Sequence, residues 1–337
     1  MIEIFDDIFL HCADIGARSG LSEHWKSYKK NLKVDAFEPD QSAFDGGART
    51  INNITWLPFG LASKTGKHKF YLLKGRSGSS LYPVNEEILK NYTARSYWEL
   101  EKIIEIDFYS FSDCINKFNR EVPELIKLDT QGSELDILQS LGNEHWDNIL
   151  CIETEIEFEE LYKNQPLFSD IDQFLRSKGF TLFDIRTHRS YLMEDNKRNY
   201  YLRKYLSFET GRHDLSAKLL AGDALYIRID NKYLFRTKET TLKYVLIFLI
   251  YHYYDYAIRL ILNARERSVI TSSEFEYILS FIKSKSPKPR FYQRSSGLLR
   301  KLIVLLTHLD NTLRRKIGLK RHKFERIGWS LRKWPNL

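Results

Sequence analysis

The chain has little cysteine: three residues among 337, Cys12, Cys114 and Cys151, far apart and odd in number. That excludes a disulfide framework and a paired-cysteine zinc site, and leaves the three as packing residues in a reducing compartment. It lacks a long apolar stretch as well. Tyr244 to Tyr251 is an unbroken apolar run, but Lys243 and His252 bound it, well short of the roughly 20 residues a bilayer crossing needs. No basic stretch precedes an apolar run in Met1-Ile-Glu-Ile-Phe-Asp-Asp7, so no export signal is expected and a cytoplasmic location is. No internal repeat and no low-complexity tract is visible. The dinucleotide fingerprint Gly-x-Gly-x-x-Gly is missing too, which argues against a nicotinamide pyrophosphate site.

What is present is a soluble globular composition, 43% hydrophobic and 28% charged, long enough for one large domain or two smaller ones. The informative stretch is Leu10-His-Cys-Ala-Asp-Ile-Gly-Ala-Arg-Ser-Gly20. An apolar strand reaches Asp14 and breaks into Gly16 and Gly20, residues that turn sharply and let a ligand approach the backbone. A carboxylate at that point repels a pyrophosphate but suits S-adenosylmethionine (SAM), whose sulfonium and ammonium are cationic. An ordinary strand-end turn accounts for the same residues. The second short strand, Val34-Asp-Ala-Phe-Glu-Pro-Asp40, ends in Glu38. Doubly wound folds place a ribose-binding acid about 20 residues beyond the glycine turn, so Glu38 is the candidate for the ribose hydroxyls.

Apolar runs recur at α/β spacing: Ile8 to Ala13, Val34 to Phe37, Ile54 to Phe59, Leu125 to Leu128, Ile149 to Ile152, Thr181 to Ile185 and Ala224 to Ile229. With helical patterns at Ser22 to Asn31, Lys90 to Lys102 and Glu134 to Leu141 between them, they predict a parallel-rich sheet with flanking helices. Leu125-Ile-Lys-Leu-Asp-Thr-Gln-Gly-Ser-Glu134 ends a strand at Asp129 and starts a helix near Ser133. In an open α/β sheet, Asp129 and Glu134 then face the same crevice as Asp14 and Glu38. Glu153 and Glu155 end the next strand and, two apart, share one face. Asp129, Glu153 and Glu155 are the residues that would hold a divalent cation, although no spacing rule demands one.

Asp14-Ile-Gly-Ala-Arg-Ser-Gly20, Phe37-Glu-Pro-Asp40, Leu57-Pro-Phe-Gly-Leu-Ala-Ser63, Gly78-Ser-Ser-Leu81, Ile126-Lys-Leu-Asp-Thr-Gln-Gly-Ser-Glu-Leu-Asp-Ile-Leu138 and Asp223-Ala-Leu-Tyr226 together resemble the FkbM family of SAM-dependent methyltransferases, from about Phe5 to Asp230. The resemblance implies a Rossmann-like class I methyltransferase sheet and methyl transfer from SAM, usually to a hydroxyl oxygen. It implies cofactor contacts at Asp14, Gly16, Arg18, Gly20, Glu38, Phe59, Gly60 and Asp129. Arg18 departs from the pattern, since many class I methyltransferases carry glycine there. An aliphatic hydroxyl is a poor nucleophile and needs a base or a metal beside it; Asp129, Glu134, Glu155 and His188 are the candidates. Ser79, Ser80, Tyr162 and Gln165 are expected on the acceptor side. The turn after Asp129 lacks the Asn/Asp-Pro-Pro-aromatic sequence of enzymes that methylate base amines, which favours an oxygen acceptor. A sugar or glycan-like hydroxyl, free or lipid-linked, is the leading reading; an RNA 2′-hydroxyl and a non-catalytic scaffold are the alternatives.

Charge divides the chain. From Arg236 to Leu337 there are 22 Lys and Arg against 7 Asp and Glu, leaving 30 against 37 for residues 1–235. The expected organisation is a methyltransferase domain over 1–235 and a basic, mostly helical region over 236–337. Leu298, Leu302, Leu305 and Leu309 recur at helical spacing, Trp329 and Trp334 stand beside Arg332 and Lys333, and Ser284 to Pro289 reads as a linker. Three uses compete: a cap on the core, a peripheral contact with anionic membrane, and a nucleic-acid surface, the last without a recognised motif.

Overall fold

The apolar runs of the first region become strands of one sheet in the computed structural model of the chain, which describes residues 4–40, 49–92, 95–190 and 218–286. In chain order the strands are β1 (Leu10–Ile15), β2 (Leu32–Phe37), β3 (Arg49–Ile51), β4 (Ile54–Leu57), β5 (Gly60–Leu61), β6 (Gly66–Leu73), β7 (Leu100–Tyr109), β8 (Leu125–Leu128), β9 (Cys151–Glu157), β10 (Thr181–Ser190) and β11 (Lys218–Ile227). The helices are α1 (Glu23–Lys26), α2 (Glu86–Leu89), α3 (Phe111–Lys117), α4 (Glu134–Gln139), α5 (Phe168–Ser177), α6 (Asn231–Leu234), α7 (Lys238–Ile250), α8 (Tyr254–Glu266) and α9 (Ser272–Lys285).

Eight strands form a sheet of order β10-β11-β9-β8-β1-β2-β4-β3. β1 pairs in parallel with β2 and β8, β8 with β9 and β2 with β4, while β11 runs antiparallel to both β9 and β10. The chain leaves β1 to one side for β2 and later returns to its other side for β8. At such a reversal two loops part and open a crevice beyond the carboxyl ends of the strands. One face of the sheet carries Ala13, Ile15, Ile126, Leu128, Ile152 and Ile156 into a core with Ile115, Ile137, Leu138 and Leu175 of α3, α4 and α5. The other face carries the alternate residues, among them Leu10, Cys12, Leu125 and Cys151, all buried.

That second face is closed partly by α7. The Tyr251 hydroxyl just beyond α7 donates to Glu153 Oε2 of β9 at 2.8 Å, Lys243 Nζ donates to Glu124 Oε1 at 2.9 Å, and the Tyr244 hydroxyl donates to the carbonyl of Arg228 at 2.7 Å. Thr240 through Ile250 are buried without a gap. A helix that is apolar all round belongs inside a core, and this one is. The compact unit that holds the sheet runs from Met1 to Ser284 and a second begins at Lys285. The charge boundary at 235/236 therefore falls inside the first unit, and Ser284 and Lys285, expected to open a linker, instead end α9. Leu298 to Leu309, Trp329 and Trp334 lie outside the described residues. Among the described residues no helix is long and apolar enough to cross a membrane.

Two local readings change. Ser22 to Asn31 holds only the single turn α1 and a 3-10 turn at Lys29–Asn31. Lys90 to Lys102 is not a helix: a 3-10 turn at Arg95–Trp98 leads into β7, which pairs with β5 and β6 in a separate three-stranded sheet. Leu-Glu-Lys-Ile-Ile-Glu-Ile-Asp-Phe-Tyr carries enough alternation for a strand, and its pairing with Gly66–Leu73 decides the matter.

Candidate active site

The crevice is built around Gly16. The amides of Gly16 and Ala17 both donate to the carbonyl of Phe37, at 3.0 and 3.0 Å, which ties the turn after β1 to the end of β2. Gly16 has φ +88°, and a Cβ there would lie 1.9 Å from the carbonyl oxygen of Asp129. The ends of β1, β2 and β8 thus meet where only glycine fits. The cavity beside this point is lined by Gly16, Arg18, Glu38, Gly60 and Asp129, and across from them by Arg76, Ser77 and Ser79. The last group comes from the second sheet and its 3-10 turn, and sequence reasoning found only Ser79 of it. The Gly75 to Ser80 loop was its visible signal.

Glu38 is buried at the cavity wall and its Oε1 accepts the Asp40 amide at 2.7 Å. Burial pushes its carboxyl up to about 7, against the pull of that amide and of Arg18. Arg18 Nη1 donates to Asp40 Oδ2 at 2.6 Å. Asp14 stands outside the cavity lining, only 1% exposed, and neither of its oxygens accepts a hydrogen bond from the described residues. Its nearest cation is Lys127 Nζ at 3.6 Å. Burial raises Asp14 to about 6, with Lys127 opposing.

The turn after β8 is wound into left-handed backbone, with Gln131 at φ +62° and Gly132 at +105°. Glu134, expected as a catalytic acid, holds this turn instead. Its Oε1 accepts the Thr130 amide at 2.7 Å and the Thr130 hydroxyl at 2.9 Å, and its Oε2 accepts the Gly132 amide at 2.9 Å. Its carboxylate is buried within its own loop and presents nothing to a substrate. Gln131, which sequence reasoning missed, is the hub. Its Nε2 donates to Asp129 Oδ1 at 2.9 Å and to Glu155, and its carbonyl oxygen accepts the Ser80 hydroxyl at 2.7 Å. The Tyr162 hydroxyl lies 2.7 Å from the Gly78 carbonyl and 2.9 Å from Gln131 Oε1, sharing one proton between them. A non-glycine residue held at positive φ by so many partners is stored strain, of the kind that clusters at functional sites.

Glu155 sits well above the usual carboxylate range because it is buried and surrounded by Asp129, Glu157, Glu134 and Asp223. Asp223 faces Glu155 in the register of β11 on β9. It accepts from His188 Nε2 at 2.9 Å and from Arg186 Nε at 2.8 Å. Burial works to raise Asp223, but His188 and Arg186 outweigh it and hold the carboxyl low. The His188 side chain is 46% exposed, on β10, which runs past the expected strand end at Ile185 to Ser190.

The remaining expected residues divide. Gly60 lines the cavity, and a Cβ there would run into the Phe108 ring at 2.2 Å. Gly20, at φ +83°, closes the loop by donating to the Ala17 carbonyl at 3.0 Å and stands outside the lining. Phe59 does not reach the cavity: its ring stacks on Phe118 and meets Tyr109 and Phe37 edge-on, because aromatic packing buries more apolar surface there. Ser79 lines the cavity while its hydroxyl takes the Leu73 amide at 3.1 Å. Ser80, Tyr162 and Gln165 are buried beneath Gln131 as braces, with Gln165 Oε1 accepting the Tyr162 amide at 2.6 Å, and do not form an acceptor surface. Nor do Asp129, Glu153 and Glu155 form one ligand set. Glu153 turns to Tyr251 and His24 and Glu155 to Gln131. Among the described residues no group of three or more His, Cys, Asp or Glu side chains is arranged to hold a metal ion.

Residues 14–182, half of the chain, match the sequence model of a family described as Methyltransferase FkbM domain. The chain is 25% identical over 217 residues to a protein named Methyltransferase sdnD from Sordaria araneosa, covering 53% of this chain and 80% of that one. It is 24% identical over 190 residues to Methyltransferase 1 from Beauveria bassiana (strain ARSEF 2860), covering 52% and 74%. Among solved structures, the crystal structure of Methyltransferase FkbM from Methylobacillus flagellatus KT aligns at 14% identity with a TM-score of 0.34, over 65% of this chain and 43% of that chain. The chain therefore spans less than half the length of that structure.

Proposed function

This chain belongs to the FkbM methyltransferase family, and on that premise we propose that it transfers a methyl group from SAM to a hydroxyl oxygen of a sugar or glycan-like acceptor. The observation that carries the cofactor reading is the Gly16 turn, which only glycine can occupy, with the Asp14 carboxylate buried just behind it and accepting no hydrogen bond from the described residues. Both suit a cationic ligand lying against the backbone. When bound, SAM supplies an electrophilic methyl group on a cationic sulfur. Asp14 answers the positive charge, Glu38 accepts the ribose hydroxyls, and Arg18 on the cavity wall offers a guanidinium to the carboxylate.

The acceptor hydroxyl must lose its proton as it attacks. His188 is the base we assign, because its Nε2 lies 2.9 Å from the Asp223 carboxylate, which can orient the ring so that Nδ1 takes the acceptor proton. The acids Asp129 and Asp223 favour a neutral polyhydroxylated acceptor over a phosphate-rich one such as RNA. With labelled SAM and a panel of glycans and RNA, we expect label on a glycan hydroxyl. His188→Asn is expected to lower kcat by roughly a hundredfold or more with SAM affinity unchanged. SAM binding without product across the glycans, or label on RNA alone, sinks the acceptor reading.

Glu38 makes the cofactor reading testable by pH. A carboxyl lifted to about 7 is largely neutral below that pH and accepts hydroxyl protons poorly. SAM affinity is expected to weaken as pH falls through 7, by up to about tenfold per unit, and Glu38→Gln is expected to bind weakly with no such dependence. The sign for stability is opposite. A raised acid contributes most to the ligand-free fold at low pH and loses that contribution as pH rises through 7. Calorimetry showing a pH-independent wild-type affinity removes Glu38 from the ribose.

A further inference from the structure

β8 is a four-residue strand in the middle of the sheet, and Leu125, Ile126 and Leu128 of it are buried in the core. Its third residue is a lysine. An ammonium in such a place is costly unless it is paired. The register supplies the partners: Asp14 of β1 stands opposite Lys127, and Lys127 stands opposite Glu153 of β9. Three strands far apart in sequence thus lay acid, base and acid in one row on the face that α7 closes. Lys127 Nζ reaches 3.6 Å from Asp14 Oδ1 and 3.6 Å from Asp129 Oδ2. Asp14 accepts no hydrogen bond from the described residues and depends on this cation. Asp129 lies on the cavity wall with its side chain 43% exposed.

We propose that Lys127 is the positioning residue of the methyltransferase site, a single ammonium that pins Asp14 at the cofactor end and Asp129 at the acceptor end. The role rests on the reading of the crevice given above. The groups that face Lys127 are Asp14 from β1, Asp129 beyond β8, Glu153 from β9 and Asp223 from β11. His24 of α1 and Tyr251 beyond α7 face Glu153 in turn. Burial alone lowers the ammonium, but the surrounding acids reverse this and hold it up. Asp14 sits at about 6 even with the cation beside it, so without it Asp14 is neutral at neutral pH.

The test reads the ligand-free protein first. In a carbon-13 carboxyl NMR titration, Lys127→Met is expected to move the Asp14 midpoint up by about two units, within the range that loss of an adjacent opposite charge produces, while Lys127→Arg leaves it in place. By calorimetry at pH 7, K127M is expected to bind SAM about tenfold or more weakly, the population of ionised Asp14 having fallen by that factor, and to recover toward pH 9. A folded K127M with the wild-type Asp14 titration, or with wild-type SAM affinity and kcat, overturns the proposal. Should K127M not fold, K127R decides. Its longer planar head keeps the charge but cannot keep the geometry, so kcat is expected to fall while the titration stays; a wild-type kcat overturns the positioning role. A wild-type protein that binds no SAM refutes the cofactor reading and this role with it, whereas wild-type binding beside equal binding by K127M refutes Lys127 alone.

Discussion

A chain ended after Phe235 is expected to lose its cooperative unfolding transition and its SAM affinity together. The loss follows from α7, where Thr240 to Ile250 are buried in succession. Full burial of one large apolar side chain contributes about 1.5–3 kcal/mol, and a whole domain is stable by roughly 5–15 kcal/mol. Removing Leu242, Val245, Leu246, Ile247, Phe248, Leu249 and Ile250 at once exceeds that margin. The truncation also strands Glu124 without Lys243 and Glu153 without Tyr251. A chain ended at Lys285 keeps the whole compact unit and is expected to melt cooperatively and bind SAM. Circular dichroism melts and calorimetry on the two truncations check this. A shorter chain that melts cooperatively and binds SAM would show that α7 to α9 are an appendage.

Gly16→Ala is expected to abolish measurable SAM binding and to destabilise the fold by about 2–5 kcal/mol, the range of backbone strain added to overpacking. The new methyl group would meet the Asp129 carbonyl at 1.9 Å, and that atom is backbone, so the turns after β1 and β8 must part. The wall of the cavity moves with them. Gly20→Ala is the matched control. Its φ of +83° is nearly the same, but nothing lies within 4 Å of its Cβ position, so only the left-handed strain of about 1–2 kcal/mol remains. Its affinity is expected within a few-fold of wild type. Melting temperatures and calorimetry on both variants separate strain from contact. Gly16→Ala with wild-type affinity would place the cofactor elsewhere.

The local code of the chain reached the strands and the glycine turn. Leu125 to Leu128 is a strand in sequence and structure alike, and the runs at β1, β2, β4, β9, β10 and β11 differ mainly at their ends. Apolar runs bounded by turn residues carry that information within a few positions of themselves. So does Gly16, whose place after a strand already marks a backbone that must turn. Glu38 and Asp129 were legible for the same reason, as acids at strand ends in a doubly wound order.

What the sequence left open depends on partners far along the chain. Glu134 reads as an acid at a helix start, and only the fold of the loop turns it back onto Thr130 and Gly132. Leu100 to Tyr109 alternates weakly, and its partner, Gly66–Leu73, made it a strand. The basic count over 236–337 described a segment as a whole, whereas burial is decided helix by helix, and α7 is the part that fills the core. Asp14, Lys127 and Glu153 are separated by more than a hundred positions at one step and by 26 at the next. No pattern within any of the three strands aligns them. Strand register does, because parallel pairing sets residues side by side according to backbone hydrogen bonds, and those bonds exist only once the sheet has closed.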